Sequence, residues 1–258
     1  MTANKLNTKQ FLITVSEGKR LIAKAVISLE QIKRALESNT IVVIAGSTNA
    51  YVAEELLLLI NQIGDFSKNT FVRGVTIGPG RKIESKGSDY SNKDIVIEKG
   101  IWMKDKTVYD IAASLGQGDI IIKGANAVDP ERKQAGIQIG NPTIGTSAPL
   151  LQAVIGRRTE HIIPVGLEKR VFGNIGLIAA KLNAPSSTGL RMIPISGTII
   201  TELEAIELLT GASPELVAAG GVLGAEGSCW IAVTGTKEQL SVAENIMTAI
   251  SNEPPFGE

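Results

Sequence analysis

Hydrophobic positions along this chain fall into short β-branched runs and longer stripes at helical spacing. Ile41-Val42-Val43-Ile44 is too short for a helix and predicts a strand covered on both faces. The polar turn Gly46-Ser47-Thr48-Asn49 follows, then a helix opening near Ala50, with Val52, Leu56, Leu59 and Ile60 on one stripe. Upstream, residues 1–40 read as a polar leader and a helix striped by Leu29, Ile32, Lys33 and Leu36. Ser28, ahead of Glu30 and Gln31, is its expected cap. Phe71 to Ile77 predicts a strand stopped by Gly78-Pro79-Gly80, and Arg81 to Lys93 predicts an exposed loop.

Two similar segments come next. Asp94 to Gly100 and Asp119 to Gly124 each have an acidic start, three β-branched residues and a Lys-Gly end; Val108, Ile111, Ala112 and Leu115 place a short helix between them. Strand, helix and strand predict a parallel βαβ crossover, with ligands bound beyond the carboxyl ends of the strands. Both Lys-Gly ends and the Gly46 turn are then expected on one sheet edge. Further on, a strand is expected at Gly136–Ile139, a helix over Leu150, Leu151, Val154 and Ile155, a strand at Ile162–Val165 and a small helix at Ile175–Lys181. Met192–Ile195, Thr201–Leu209, Leu216–Val222, Trp230–Thr234 and Lys237–Ile250 predict a βαββα order, with an antiparallel hairpin turned at Gly224-Ala225-Glu226-Gly227.

Composition narrows the class. The 258 residues are 43% hydrophobic and 20% charged, ordinary for a globular protein. Lys plus Arg and Asp plus Glu stand at 26 each, so no global field draws nucleic acid or an anionic membrane. The single cysteine, Cys229, excludes an internal disulfide framework. No stretch reaches the length of a membrane span, MTANKLNTKQ lacks a signal-peptide core, and a cytoplasmic protein is expected.

Standard catalytic motifs fail. Gly140-x4-Gly145-Thr146-Ser147 has P-loop spacing, but Thr146 stands where a lysine must reach the phosphates. One histidine, His161, and one cysteine leave no imidazole triad and no soft metal site, so neither metal nor cofactor is expected. Four segments that each follow a predicted strand remain: Gly46–Asn49, Lys123–Pro130 (KGANAVDP), Gly145-Thr146-Ser147 and Glu168-Lys169-Arg170. A small polar turn opening a helix gathers N–H groups at the positive end of a dipole, where a phosphate commonly sits. An ordinary N-cap by Ser47, Thr48 or Asn49 fits the same residues.

In order and spacing these segments resemble ribose-5-phosphate isomerase of the A type. They also resemble the wider superfamily with glucosamine-phosphate deaminase, the effector domains of DeoR-type sugar regulators, and CoA transferases (NagB/RpiA/CoA transferase-like). Gly46-Ser47-Thr48 matches the family's phosphate loop, and Gly124, Ala125, Val128, Asp129 and Pro130 match the isomerase's Asp-Gly-Ala-Asp-Glu-Val-Asp-Pro segment. Gly124-Ala125-Asn126 is closer to the regulators' Gly-Ala-Asn-Gly, Gly145 to Leu151 resembles a glycine turn followed by Ala-Leu-Leu, and Lys169 resembles a substrate-binding lysine. The resemblance implies an α/β fold, a Rossmann-like parallel sheet over 1–190, and a small ferredoxin-like α+β unit over 191–258. A homo-oligomer is expected with it.

The departures decide the chemistry expected. Lys123 and Asn126 stand at the isomerase's catalytic-segment aspartates, and Ala153 at its general base. Neither asparagine nor alanine can accept and return a proton near neutral pH. The expectation is therefore a protein that binds a phosphorylated small molecule. Gly46, Ser47, Thr48, Asn49, Gly124, Ala125, Asn126, Gly145, Thr146 and Lys169 would line the site, with Lys123 or Asp129 carrying any catalysis. A non-catalytic sensor acting through a partner protein, and a CoA transferase-like enzyme using Glu226, are the alternatives.

Overall fold

A computed structural model describes residues 5–64, 66–78 and 93–257. The loop expected from Arg81 to Lys93 lies, apart from Lys93, outside the described residues, as do Pro79 and Gly80. The fold is mixed α/β, around a six-stranded mixed sheet. Four of its strands run parallel in the order β10-β8-β5-β2: β2 (Thr40–Val43), β5 (Ile120–Ile122), β8 (Glu160–Pro164) and β10 (Thr198–Ile200). The sheet continues past β2 with β3 (Ile95–Glu98) and β4 (Ile101–Trp102), both antiparallel to their neighbours.

Strand β2 explains the central position of its sequence. Ile41 and Val43 belong to the core on one face, and Val42 and Ile44 to the core on the other, all fully buried. A β-branched run with no polar alternation can pack nowhere else. The first face is covered by α1 (Val15–Ser28), α3 (Ser47–Leu59), α7 (Glu202–Thr210) and α8 (Lys237–Ile250). The second carries α4 (Val108–Ile111) and α5 (Ser147–Arg157), together with a three-stranded sheet of order β6-β7-β9. That sheet comprises β6 (Ala127–Asp129), β7 (Gln134–Ile139) and β9 (Arg191–Ile195), and α6 (Ile175–Leu182) packs on it.

Several expectations change. Strand β3 runs antiparallel to β2, so the segment from Asp94 to Gly124 is no parallel βαβ crossover. The Lys99-Gly100 end therefore lies at the opposite, amino edge, where the Lys99 N–H donates to Asn39 O. The reversal carries Asp94, which precedes β3, to the carboxyl edge in exchange. Phe71–Ile77 forms no strand, because both flanks of β2 are already paired with β5 and β3. Phe71 is instead buried against Phe66, and its carbonyl accepts from Gly46 N–H. Helix α3 opens at Ser47, three residues before its expected start.

The leader is structured. Strand β1 (Asn7–Ile13) and α1 precede α2 (Glu30–Ser38), which is the helix expected there. Ser28 does not cap α2; its hydroxyl donates to Ala25 O. The α1 start was nonetheless written in the chain: Thr14 and Glu17 form a capping box ahead of an apolar run. The hairpin of β11 (Ser213–Gly220) and β12 (Ser228–Gly235) is antiparallel as expected, and β1 completes its sheet in the order β1-β12-β11. Residues 191–258 thus supply strands to all three sheets: β9 pairs with β7, β10 with β8, and β12 with β1. No helix among the described residues is long and apolar enough to cross a membrane.

Candidate functional site

The carboxyl edge of the parallel strands gathers most of the residues singled out. After β2, Gly46 is the N-cap of α3 in an extended conformation, and no side chain among the described residues caps that helix. The first-turn amides of α3 are therefore not consumed by an Asx or Ser cap, which the ordinary N-cap alternative requires. Thr48 and Asn49 are buried in this first turn, and Ser47 is half-buried. Asn49 Nδ2 donates to Ile44 O and Ile122 O, at 2.7 and 3.2 Å, tying the helix to β2 and β5. Its Oδ1 is buried without a hydrogen-bond partner among the described residues.

After β5, Lys123 turns its amine to Thr146 Oγ1 at 3.0 Å, its one side-chain hydrogen bond among the described residues. Burial, reinforced by the nearby Arg73 charge and opposed by Asp94, lowers the Lys123 amine to about 8. Gly124 follows because nothing larger fits: a Cβ there would lie 2.8 Å from Pro164 O and 3.6 Å from Asn49 Oδ1. Gly124→Ala is expected to cost about 1–3 kcal/mol of stability by forcing β5 and β8 apart, read from urea unfolding midpoints. An unchanged midpoint would show that this edge yields.

Thr146 is held beside Lys123 by the turn before α5, where Ile144 and Gly145 both take left-handed backbone at φ 56° and 54°. After β8 comes a 3-10 turn, Leu167–Lys169, whose Lys169 Nζ lies 3.5 Å from Thr48 Oγ1 and 3.7 Å from Glu168 Oε1. Lys169 therefore meets Thr48, Gly124 meets Asn49, and Lys123 meets Thr146.

Three predicted residues take other positions. Ala125 is buried in the second core, and Asn126 Oδ1 accepts from Gln138 N–H inside the β6–β7 pairing. Asp129 ends β6 and closes its hairpin: it accepts from the Glu131 and Arg132 amides and from Arg132 Nη1 at 2.9 Å. The Arg132 amide and guanidinium hold its carboxyl below the usual range. Both carboxylate oxygens of Asp129 are thus engaged by the turn. Glu226 sits in an exposed turn and accepts from Gly224 N–H at 2.9 Å.

Two groups at the edge were missed. Asp94 is wholly buried and accepts from Arg73 Nη1 at 2.7 Å, from Ala45 N–H at 3.2 Å and from Val108 N–H at 3.1 Å. It thereby pins the chain just before the Gly46 turn to the start of α4. Arg73 reaches it from the segment expected to be a strand. The signal available was the isolated arginine in Phe-Val-Arg-Gly-Val, a charge that no doubly covered strand would bury. His161 lies on β8 and is buried, with ring nitrogens 2.8 Å from Ser196 O and 3.2 Å from Lys123 O. Burial lowers it to about 4, so it is a neutral strut behind Lys123 at neutral pH.

Among the described residues, no group of three or more His, Cys, Asp or Glu side chains is arranged to hold a metal. A depression of about 550 Å³ lies at the amino edge, lined by Asn39, Thr40, Glu98, Lys99 and Asp119. Its acids are already engaged: Asp119 accepts from Thr40 and Gly116 amides, and Glu98 from Lys106. The carboxyl edge instead keeps cationic donors with capacity to spare. Comparison of the chain with protein-family models, with curated proteins and with solved structures finds no match.

Proposed function

We propose that this protein binds a phosphorylated small molecule at the carboxyl edge of its parallel strands. On this reading the sheet is a Rossmann-like one, of the kind found in the NagB/RpiA/CoA transferase-like superfamily. The observation that carries it is Lys123. An ammonium has three donors, and this one has a single hydroxyl partner among the described residues, in surroundings that penalise its charge. A bound dianion would relieve that penalty directly. Lys169 and Thr48 would approach the same anion from the β8 side, and the uncapped first turn of α3 would add amides and dipole. A non-catalytic sensor module is the second reading. It is favoured by the side chains of Asn126 and Asp129, which are spent on the β6–β7 hairpin.

Inorganic phosphate and a panel of phosphosugars should raise the melting temperature, and both Thr48→Ala and Lys169→Ala should remove most of that rise. Thermal-shift measurements with chloride at matched ionic strength check this. Equal stabilisation by chloride, or a rise untouched by both substitutions, would end the anion-site reading.

A further inference from the structure

Asn49 holds a side-chain acceptor that no donor answers. The residue stands in the first turn of the 13-residue α3 and is 2% exposed, with its Nδ2 donating to Ile44 O and Ile122 O. Those two bonds fix the amide, because a flipped side chain would set its oxygen against two carbonyl oxygens. Oδ1 is thereby held in place, and no donor among the described residues reaches it. It lies 3.6 Å from the position that a Cβ on Gly124 would take, so it borders the space beside this glycine, which is itself partly exposed.

The lysine and histidine donors of this edge are directed elsewhere. Lys123 turns to Thr146, Lys169 to Thr48 and Glu168, and the His161 ring to Ser196 O and Lys123 O. Ala50 N–H donates to Gly46 O, which leaves the Ser47, Thr48 and Asn49 amides ahead of the α3 ladder. One ligand therefore faces two demands. The lysines and amides attract negative charge, while Oδ1 needs a hydrogen-bond donor. An oxyanion without a proton meets the first demand but sets a lone pair against Oδ1, and an unmet buried acceptor is costly. An anion that also brings an O–H meets both.

We propose that Asn49 sets the specificity of this site: its Oδ1 accepts a hydrogen bond from an O–H that the bound anion must bring, and anions with no such donor are rejected. This rests on the anion-site reading and narrows it. Gly124 belongs to the same device, because it keeps the approach to Oδ1 free of a side chain. Two sources supply the proton. The hydrogenphosphate dianion carries one on the anion itself. A phosphate monoester, whose second pKa is about 6, has lost that proton near neutral pH, and its donor is an alcohol on the adjoining carbons. Sulfate has neither.

The test is isothermal titration with inorganic phosphate, sulfate, glycerol phosphate and propyl phosphate, in mildly alkaline buffer at fixed ionic strength. Hydrogenphosphate and sulfate then match in charge and shape, and the two esters differ in their hydroxyls. In at least one of these pairs the wild type should bind the member with the O–H about 10–100-fold tighter. A preference confined to phosphate over sulfate assigns the proton to the anion, and one confined to glycerol phosphate over propyl phosphate assigns it to an alcohol. In Asn49→Ala, checked for a cooperative melt, the preference should shrink to within about threefold. Ratios within one protein are compared, so lost stability alone does not mimic the result. If Asn49→Ala does not fold, Gly124→Ala decides, since its methyl stands beside Oδ1 and should reduce the same ratio. A preference unchanged in the folded variant overturns the role of Asn49. Equal binding within both pairs by the wild type overturns the proposal, gives Oδ1 to a bound water and leaves the anion site standing. No binding of any of these ligands by the wild type overturns the anion site and the proposal with it.

Discussion

Lys123→Met is expected to make the protein more stable and to weaken its binding of phosphate. In the folded chain Lys123 loses its proton near pH 8, whereas an unfolded lysine keeps it to about 10.4. The unfolded state therefore binds more protons between those values, and this group makes stability rise with pH across that window. Below pH 8 the full penalty is present, roughly 3 kcal/mol at one proton's linkage. Methionine matches the length of the stem and removes the charge, leaving only Thr146 Oγ1 to find another partner. A gain on the order of 2–3 kcal/mol near neutral pH follows, or roughly 5–10 °C in melting temperature for a chain of this size. That gain should fade above pH 8 and vanish by about pH 10.5. Phosphate affinity should fall about 10–100-fold, the range for hydrogen bonds to a charged group. Wild-type affinity should also decline above pH 8, because the neutral amine must then be reprotonated to bind. Urea unfolding and phosphate titration over the same pH range check all three. A destabilised Lys123→Met that still binds phosphate would make Lys123 a packing residue and nothing more.

Arg20→Met should have the largest cost. Arg20 is almost buried on α1 and pairs with Glu54, with Glu55 at 2.8 Å and with Glu253 at 3.0 Å, while its guanidinium lies 4.8 Å from the Tyr51 ring centroid. Lys68 and Lys24 reach parts of the same acidic group. Removing the arginine leaves three part-buried carboxylates to share Lys68 and Lys24 alone, and deleting one partner of a buried network costs about 3–5 kcal/mol. A drop of roughly 10 °C or more is expected. Acid gives the sign of the mechanism. Desolvation would raise Glu253, but the Arg20 hydrogen bonds and charge, with Lys68, bring it below the usual glutamate value. Its stabilising contribution is present above about pH 4.3 and is lost as pH falls through the lower folded value. The deficit of Arg20→Met should accordingly shrink on acidification. A deficit independent of pH would point to lost stem packing instead.

Local patterning made most elements legible. Helix α8 spans the residues its pattern names, and the Ile41 run alternates between two cores as a doubly covered strand must. Strand direction was hidden, because the period of a β run is the same read in either sense and only partners decide. Strand β3 therefore passed for a parallel strand, with Lys99 on the wrong edge and Asp94 overlooked. The leader was misread for a different reason. Lys19, Arg20 and Lys24 interrupt the α1 stripe, and nothing local shows that Lys19 and Arg20 are buried against acids from distant segments. At the site, Gly46, Thr48, Asn49, Gly124, Thr146, Lys123 and Lys169 follow from their places after strands. The side chains of Asn126 and Asp129 are claimed by a hairpin whose register is set at long range.

Strand β1 also has a consequence for how the chain is made. Its partner is β12, and the Thr8–Thr234 hydroxyl contact spans 226 positions. During vectorial synthesis, at about 5–20 residues per second, β1 must wait ten seconds or more after it is made for β12, the strand that pairs with it. Closing so long a loop is slow in itself. Between the making of β1 and of β12 the nascent chain thus carries an unpaired strand, which makes β1 the natural place for a chaperone to act.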